Sequence, residues 1–304
     1  MSEDYKRPSQ WLARSPARPK GWRSGLTIVS LVGLLLASDP FGCRLLPIYH
    51  QARFGQRHRQ VLHQTNPIRR NAPYGREQYW ALDARAGQAV TITAQSYEFD
   101  PYLILISPTG QEIAWSDDSG GFFNARISTT LPVSGRYTIV ICGLNADQYG
   151  TYWLSVEEED QPTVWDETAA SAYYDRGMAW AEREQNRRAM SWLDLAMGRY
   201  FRQHRQWKRA EAYYARSLAA AQRAGFTYGQ WAVALERGIL LRERRRYDRA
   251  IDQLERALEM SRGLRAADWA EAVTAIQLGD LYRYIGRAEL AATYYRKATD
   301  HLRS

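Results

Sequence analysis

Three arginines recur at a nearly constant interval in the second half of the chain. Arg202, Arg242 and Arg283 are 40 and 41 residues apart, and Arg199 lies about one helical turn before the first of them. Guanidinium groups repeated in this way would form a ladder that binds carboxylates, for example those of an acidic tail or an extended peptide. The alternative is a solvated charged face in an arginine-rich chain. We predict that these four arginines line a partner-binding groove.

Residue patterns that carry catalysis are missing from the sequence. It contains no GxSxG, HExxH or GxxxxGK[ST] motif and no GxGxxG after a strand. His204 and His301 lie in helical patterns far from Cys43 and Cys142, and the two cysteines have no metal-ligand spacing. We therefore expect a protein that is not an enzyme and that holds no metal and no cofactor.

The elements that would position the arginines follow the same period. Glycine, alanine and large apolar residues form three columns, each spaced by 40 and 41 residues: Gly198, Gly238 and Gly279; Ala210, Ala250 and Ala291; Tyr214, Leu254 and Tyr295. Small residues let two antiparallel helices approach closely, and the larger residues fill the space between them. The columns predict three helix pairs that pack along a seam, with one more helix at about 167–184.

The last pair carries a family resemblance. Its pattern is Ala275-x-x-Leu278-Gly279-x-x-Tyr282, followed by Ala291-x-x-x-Tyr295-x-x-Ala298. This pattern resembles the tetratricopeptide repeat, and the likeness extends over roughly residues 187–302. The period is longer than the family's 34 residues, Ala275 stands where the family favours Trp, and Ser217 replaces an Ala. The resemblance implies a concave groove lined by the first helices. We also expect the edge around Tyr295 to dock a partner or a second copy of the chain.

A stretch of short strands precedes the helices. Turn signals separate about seven apolar or alternating segments between Gln78 and Glu157, which predicts an antiparallel β-sandwich over residues 74–160. The turns read Phe99-Asp100-Pro101-Tyr102-Leu103, Ser107-Pro108-Thr109-Gly110, Asp117-Asp118-Ser119-Gly120, Ser134-Gly135-Arg136-Tyr137 and Tyr149-Gly150-Thr151-Tyr152. In this order they resemble the bacterial pre-peptidase C-terminal domain, a secreted β-sandwich.

Some relatives of that domain bind calcium or polymers, which draws attention to two sets of residues. Asp100, Asp117 and Asp118 are candidate calcium ligands, although we favour the interpretation that they cap their own turns. Three aromatic residues are candidates for stacking on a sugar: Tyr97, Trp115 and Tyr149. For Trp115 we favour core packing over sugar binding.

The N-terminal part predicts export. A basic leader at 1–24 precedes an apolar run at 25–38, which fits either an uncleaved signal anchor or a cleaved signal peptide, with the N-terminus cytoplasmic. Residues 44–73 are rich in Arg, His and Gln, and we interpret them as a basic linker rather than a metal site. The net charge is +10 over residues 1–76, −9 over 77–164 and +7 over 165–304. Because the positive charge is divided between a membrane flank and a helical surface, nucleic-acid binding is disfavoured.

The predicted architecture is a membrane or signal helix, an all-β sandwich and an all-α repeat solenoid at 165–304. The predicted function is a non-enzymatic, membrane-tethered adaptor on the extracytoplasmic side of a bacterial membrane. It would bind partner proteins through the repeat groove, in the assembly or stabilisation of an envelope complex. The alternative is a module of the cell envelope that binds a carbohydrate or polypeptide through the sandwich.

Overall fold

The structure is a computed structural model that describes residues 49–68, 75–158 and 166–301. The leader 1–24, the apolar run 25–38 and Cys43 lie outside these residues, so the anchor or signal peptide stays a prediction. None of the described helices is long and apolar enough to cross a membrane. Residues from Tyr49 onwards cluster as one unit, which contains both sheets and all of the described helices.

Nine strands are described in the first half of this unit. They are β1 (Tyr49–Gln51), β2 (Arg57–Leu62), β3 (Glu77–Ala84), β4 (Ala89–Ser96), β5 (Pro101–Ile106), β6 (Glu112–Ser116), β7 (Ala125–Thr130), β8 (Gly135–Gly143) and β9 (Gly150–Glu157). One sheet has the order β1-β3-β8-β5-β6 and the other has the order β2-β9-β4-β7. Side chains from both sheets build one apolar core, as the sandwich prediction requires.

The sandwich differs from the expectation in two strands. Residues in β1 and β2 were expected in the linker 44–73, and β1 pairs with β3 in parallel whereas the predicted sandwich was antiparallel. β2 pairs along its whole length with β9, but only Leu62 among its side chains is fully buried. An edge strand that exposes charged side chains needs no apolar alternation. The sequence pattern therefore did not predict β1 and β2.

Seven helices follow the sandwich in the described residues. They are α1 (Glu167–Arg183), α2 (Arg187–Gln203), α3 (Trp207–Arg223), α4 (Thr227–Glu243), α5 (Tyr247–Ser261), α6 (Ala267–Tyr284) and α7 (Ala288–His301). The strongest helix contacts join α2 with α3, α4 with α5, and α6 with α7. The observed order is therefore one helix followed by three pairs.

The glycine column is explained by close approach within each pair. A Cβ atom built on Gly198 would lie 2.5 Å from the ring of Tyr214, and one on Gly279 would lie 2.7 Å from the ring of Tyr295. On Gly238 it would lie 2.6 Å from the side chain of Leu254. Because the glycine of each first helix has no side chain, it leaves space that the large residue of the second helix fills.

Candidate interaction surface on the helical repeats

The ladder of arginines is positioned by the first helix of each pair. Three columns recur on α2, α4 and α6 at intervals of four and three residues, which places them on one stripe of each helix. The columns are Leu195, Leu235 and Ile276; Arg199, Ile239 and Asp280; Arg202, Arg242 and Arg283. We call this surface the repeat stripe, and its exposure differs between the three helices.

On α2 the stripe is engaged by other parts of the same chain. The Nε of Arg202 donates to Oε2 of Glu236 at 2.9 Å, and its Nη1 also pairs with Glu243. Arg199 pairs with Glu236 at 3.8 Å and with Asp118 of the sandwich at 3.5 Å. Only 11% of the Arg202 side chain and 24% of the Arg199 side chain are exposed. Both arginines therefore stabilise the fold.

Glu236 is the acceptor at the centre of these contacts. Its carboxylate also accepts a hydrogen bond from the hydroxyl of Tyr214 at 3.1 Å. Burial by itself would raise the pKa of Glu236, but Arg202 and Arg199 outweigh burial and the pKa is lowered. Burial would lower the pKa of Arg202, and Glu236 reverses that effect and raises it. Both groups are therefore charged in the folded protein near neutral pH.

The same contact recurs one repeat later with a neutral acceptor. Arg242 on α4 donates to Oε1 of Gln277 on α6 at 3.1 Å. Gln277 lies two residues before Gly279, as Glu236 lies two residues before Gly238. Each arginine thus reaches the next first helix. Sequence analysis missed this pairing, although Glu236 and Gln277 follow the same repeat spacing as the arginines they bind.

Arg283 differs from the other members of the ladder. Its side chain is 74% exposed, and its ion pair is with Asp280, one turn earlier on the same helix, at 3.8 Å. Ile239 and Ile276 are half-buried, whereas Leu195 is only 2% exposed. Exposure of the repeat stripe therefore increases from α2 to α6. We call its accessible part, formed by Ile239, Arg242, Ile276, Asp280 and Arg283, the open groove.

The sandwich covers the stripe at α2. Two aromatic residues from the β6–β7 connection pack against the helices. Phe123 lies 4.8 Å from Trp192 between ring centroids, and the guanidinium of Arg199 lies 4.7 Å from the Phe123 centroid. Phe122 stacks on Tyr200 at 5.6 Å. Together with the packing of α1, α3 and α4 on α2, these contacts leave every residue from 191 to 198 buried, which is unusual for an amphipathic repeat helix.

Polar bonds add to this interface between the sandwich and the helices. Tyr228, just inside α4, accepts hydrogen bonds from Gln148 at 2.7 Å and Asn145 at 3.2 Å. Asp147 accepts from the backbone N–H of Ala266 at 2.9 Å, at the N-terminus of α6 where a negative charge is favourable. Burial raises the pKa of Tyr228, so its hydroxyl stays neutral. The sandwich thus contacts the first helix of all three pairs or the residue before it.

The candidate sugar-stacking aromatics do not lie together. Tyr97 is 7% exposed and contacts Tyr173 and Trp180 of α1, and Tyr149 lies under the guanidinium of Arg188 at 4.2 Å. Trp115 remains 44% exposed on β6, with its ring parallel to that of Tyr102 at 5.9 Å. The favoured core position of Trp115 is therefore wrong, and its ring is available at the surface.

The acidic turn residues have separate roles. Asp117 accepts a hydrogen bond from the backbone N–H of Asp118, as the capping interpretation predicts. Asp118 instead pairs with Arg199 across the interface. Within residues 49–68, 75–158 and 166–301, no three His, Cys, Asp or Glu side chains are grouped to hold a metal ion. Cys142 is buried in β8, and its Sγ donates to the backbone oxygen of Tyr102 at 3.8 Å.

Comparison with known proteins finds both of the families that the sequence resembles. Residues 232–304 match the family model of the tetratricopeptide repeat, which confirms that resemblance for the last two helix pairs. Among solved structures, the pre-peptidase C-terminal domain of a collagenase from Bacillus anthracis is 12% identical, with a TM-score of 0.29, over 36% of this chain and 96% of that chain. No curated protein sequence matches this chain.

Two further structures are each similar to part of the chain. BtubC from P. vanneervenii is 23% identical, with a TM-score of 0.38, over 44% of this chain and 55% of that chain. PliG from Aeromonas hydrophila, a periplasmic inhibitor of g-type lysozyme, is 17% identical, with a TM-score of 0.27, over 36% of this chain and 95% of that chain. The tetratricopeptide match indicates protein–protein interaction in general terms.

Proposed function

We propose that this chain is a non-enzymatic adaptor that binds a partner protein through the open groove. The observation that carries the proposal is the change along the arginine ladder. Arg202 is buried against Glu236, whereas the equivalent Arg283 exposes 74% of its side chain beside half-buried Ile276. A cation next to an apolar side chain suits an extended peptide segment that carries a carboxylate.

The proposed setting is the extracytoplasmic side of a bacterial membrane. The support comes from the sequence, in which a basic leader precedes the apolar run 25–38 and the sandwich resembles a secreted domain. In this setting the apolar run tethers the chain, and the groove recruits partners during the assembly or stabilisation of an envelope complex. The edge around Tyr295 docks a partner or a second copy of the chain.

A charge-reversal experiment tests the groove. The variant R242E/R283E changes the open groove and breaks the hydrogen bond from Arg242 to Gln277, but it leaves the buried contact between Arg202 and Glu236 intact. R249E/R256E is the matched control, because it makes the same change in net charge at two exposed arginines of α5. Q277A breaks the Arg242 contact without a change of charge and should keep the partner. We expect a partner that co-purifies with the wild type to be lost from R242E/R283E and kept by R249E/R256E. Equal capture by both variants would refute the groove proposal.

Trp115 supports a second candidate function. The outer face of the five-stranded sheet carries a row of paired residues across all five strands: Tyr49, Tyr79, Val140, Ile104 and Trp115. The two outermost residues, Tyr49 and Trp115, are 50% and 44% exposed. Val140 and Ile104 in the middle of the row are buried, so the two exposed rings at its ends are the positions that suit stacking on a carbohydrate polymer. W115A should then lose retention on an insoluble polysaccharide that retains the wild type, while R242E/R283E keeps it.

A further inference from the structure

A cavity of about 410 Å³ opens at the edge of the sandwich, away from the repeat stripe. Three segments line it: residues 61–65 at the end of β2, Glu98 in the β4–β5 connection, and residues 149–151 at the start of β9. Its volume falls within the range of pockets that hold small ligands. We call it the Glu98 pocket, after its one acidic residue.

The carboxylate of Glu98 has an unusual environment for a buried charge. Glu98 is 8% exposed, and its Oε1 accepts from Nδ2 of Asn186 at 2.7 Å while its Oε2 accepts from the backbone N–H of Thr151 at 2.6 Å. Both donors are neutral, and no ion pair joins Glu98 to a Lys, Arg or His within the described ranges, although His63 also lines the pocket. A carboxylate has about four acceptor positions, so two remain for a ligand in the cavity.

The backbone at Gly150 lets the Glu98 carboxylate pack against the start of β9. Gly150 has φ of +144°, and a Cβ atom there would lie 2.8 Å from Cδ and 3.0 Å from Oε2 of Glu98. Any other residue at this position would displace the carboxylate and be strained at this φ. The close packing of Gly150 and the two hydrogen bonds hold the Glu98 carboxyl group at the wall of the pocket, where a donor on a ligand would meet its remaining acceptor positions.

We propose that the Glu98 pocket binds a ligand through a protonated primary amine, which donates hydrogen bonds to the free acceptor positions of Glu98. Val61 and Leu62 supply apolar surface for the carbon chain that carries the amine. The guanidinium of Arg188 lies 4.2 Å from the ring centroid of Tyr149, a lining residue, and its positive charge opposes the binding of a ligand with several cationic groups. A single carboxylate is too few oxygen ligands for a calcium ion.

Calorimetry on the full chain with two isosteric ligands tests the proposal. Nα-acetyl-lysine methylamide carries the amine, and the methylamide of Nα-acetyl-2-aminoheptanoic acid replaces it with a methyl group. We expect the lysine derivative to bind at least about tenfold more tightly, since a hydrogen bond to a charged group is worth that factor or more. Equal affinities for the wild-type chain would overturn the proposal without any variant.

Variants locate the amine at Glu98. E98Q should remove the preference for the lysine derivative. N145A is the matched control, because it breaks a different polar bond of the same interface, to Tyr228, and should keep the preference. An unchanged preference in E98Q would also overturn the proposal. Butylamine distinguishes the sources: binding as tight as that of the lysine derivative indicates a small free amine, and weaker binding indicates a lysine side chain of a polypeptide.

Discussion

Arg202 on α2 donates its Nε to Glu236 on α4 at 2.9 Å, and Arg242 on α4 repeats the contact with Gln277 on α6 at 3.1 Å. An arginine of one repeat therefore binds an acceptor of the next, once as an ion pair and once as a hydrogen bond to a neutral amide. Part of the arginine periodicity thus reflects the joining of successive repeats, and only its last member is largely exposed.

The two acceptors predict unequal losses of stability. E236A removes the partner of buried Arg202 and Arg199, so the free energy of unfolding should fall by about 3 kcal/mol or more. Q277A removes a neutral acceptor and should cost about 1 kcal/mol. Urea denaturation followed by circular dichroism measures both. Equal costs for the two variants would show that the charge of Glu236 does not set its contribution.

Asp194 predicts a distinct dependence of stability on pH. Burial raises its pKa to about 6, against the opposing effects of Arg216 and the hydroxyl of Tyr174. Because the folded state binds a proton more tightly than the unfolded state, protonation of Asp194 stabilises the fold as the pH falls from 7 towards 5. D194N lacks this titration. The stability of the wild type minus that of D194N should therefore rise over this interval.

Chemical denaturation of both proteins at pH 7, 6 and 5 provides the measurement. Glu236 does not interfere, because its lowered pKa places its own loss of stability at pH values below its ordinary range. A constant difference between wild type and D194N over these pH values would contradict the raised pKa of Asp194.

The close approach of Gly238 and Leu254 predicts coupling between them. G238A places a methyl group 2.6 Å from the Leu254 side chain and should cost about 1–3 kcal/mol. L254A leaves a cavity and should cost about 2–5 kcal/mol. In G238A/L254A the added methyl group occupies part of that cavity, so the double variant should be more stable than the sum predicts. G263A is the control for glycine replacement, since the atom nearest its Cβ is at 3.6 Å.

A double-mutant cycle with urea gives the coupling energy, expected to be about 0.5–3 kcal/mol in the favourable direction. Additive effects of G238A and L254A would mean that the two side-chain positions do not compete for the same space.

The contacts of Phe123 predict how much the sandwich stabilises α2. Its side chain is 7% exposed between Trp192 and Arg199, and its backbone has φ of +60°. F123A should cost about 3–5 kcal/mol because it removes the ring and keeps the unfavourable φ. F123G should cost less than F123A, since glycine adopts this φ without strain.

Hydrogen exchange measures which helices lose stability in F123A. In F123A the amides of α2 should exchange faster, while those of α6, further along the repeats, change little. Uniform acceleration across all seven helices would mean that the ring stabilises the whole unit rather than the cover of α2.

Local patterns in the sequence determined much of this protein. The spacing of Gly198, Gly238 and Gly279 with their large partners specified three helix pairs, because packing between neighbouring helices requires a small residue opposite a large one at a fixed interval. Turn residues likewise specified most strands of the sandwich. These signals are local, since each depends on residues within one hairpin or one helix pair.

Only the tertiary structure decided which parts of the surface stay open. The edge strand β2 has no apolar alternation, and Phe123 reaches α2 from 69 residues earlier in the chain. Nothing in the local sequence indicates that Glu236 would neutralise Arg202, or that the donors to buried Glu98 among the described residues would be Asn186 and the backbone of Thr151. Burial and charge pairing between distant segments depend on the fold as a whole, and so the arginine ladder could be found in the sequence but its one exposed member could not.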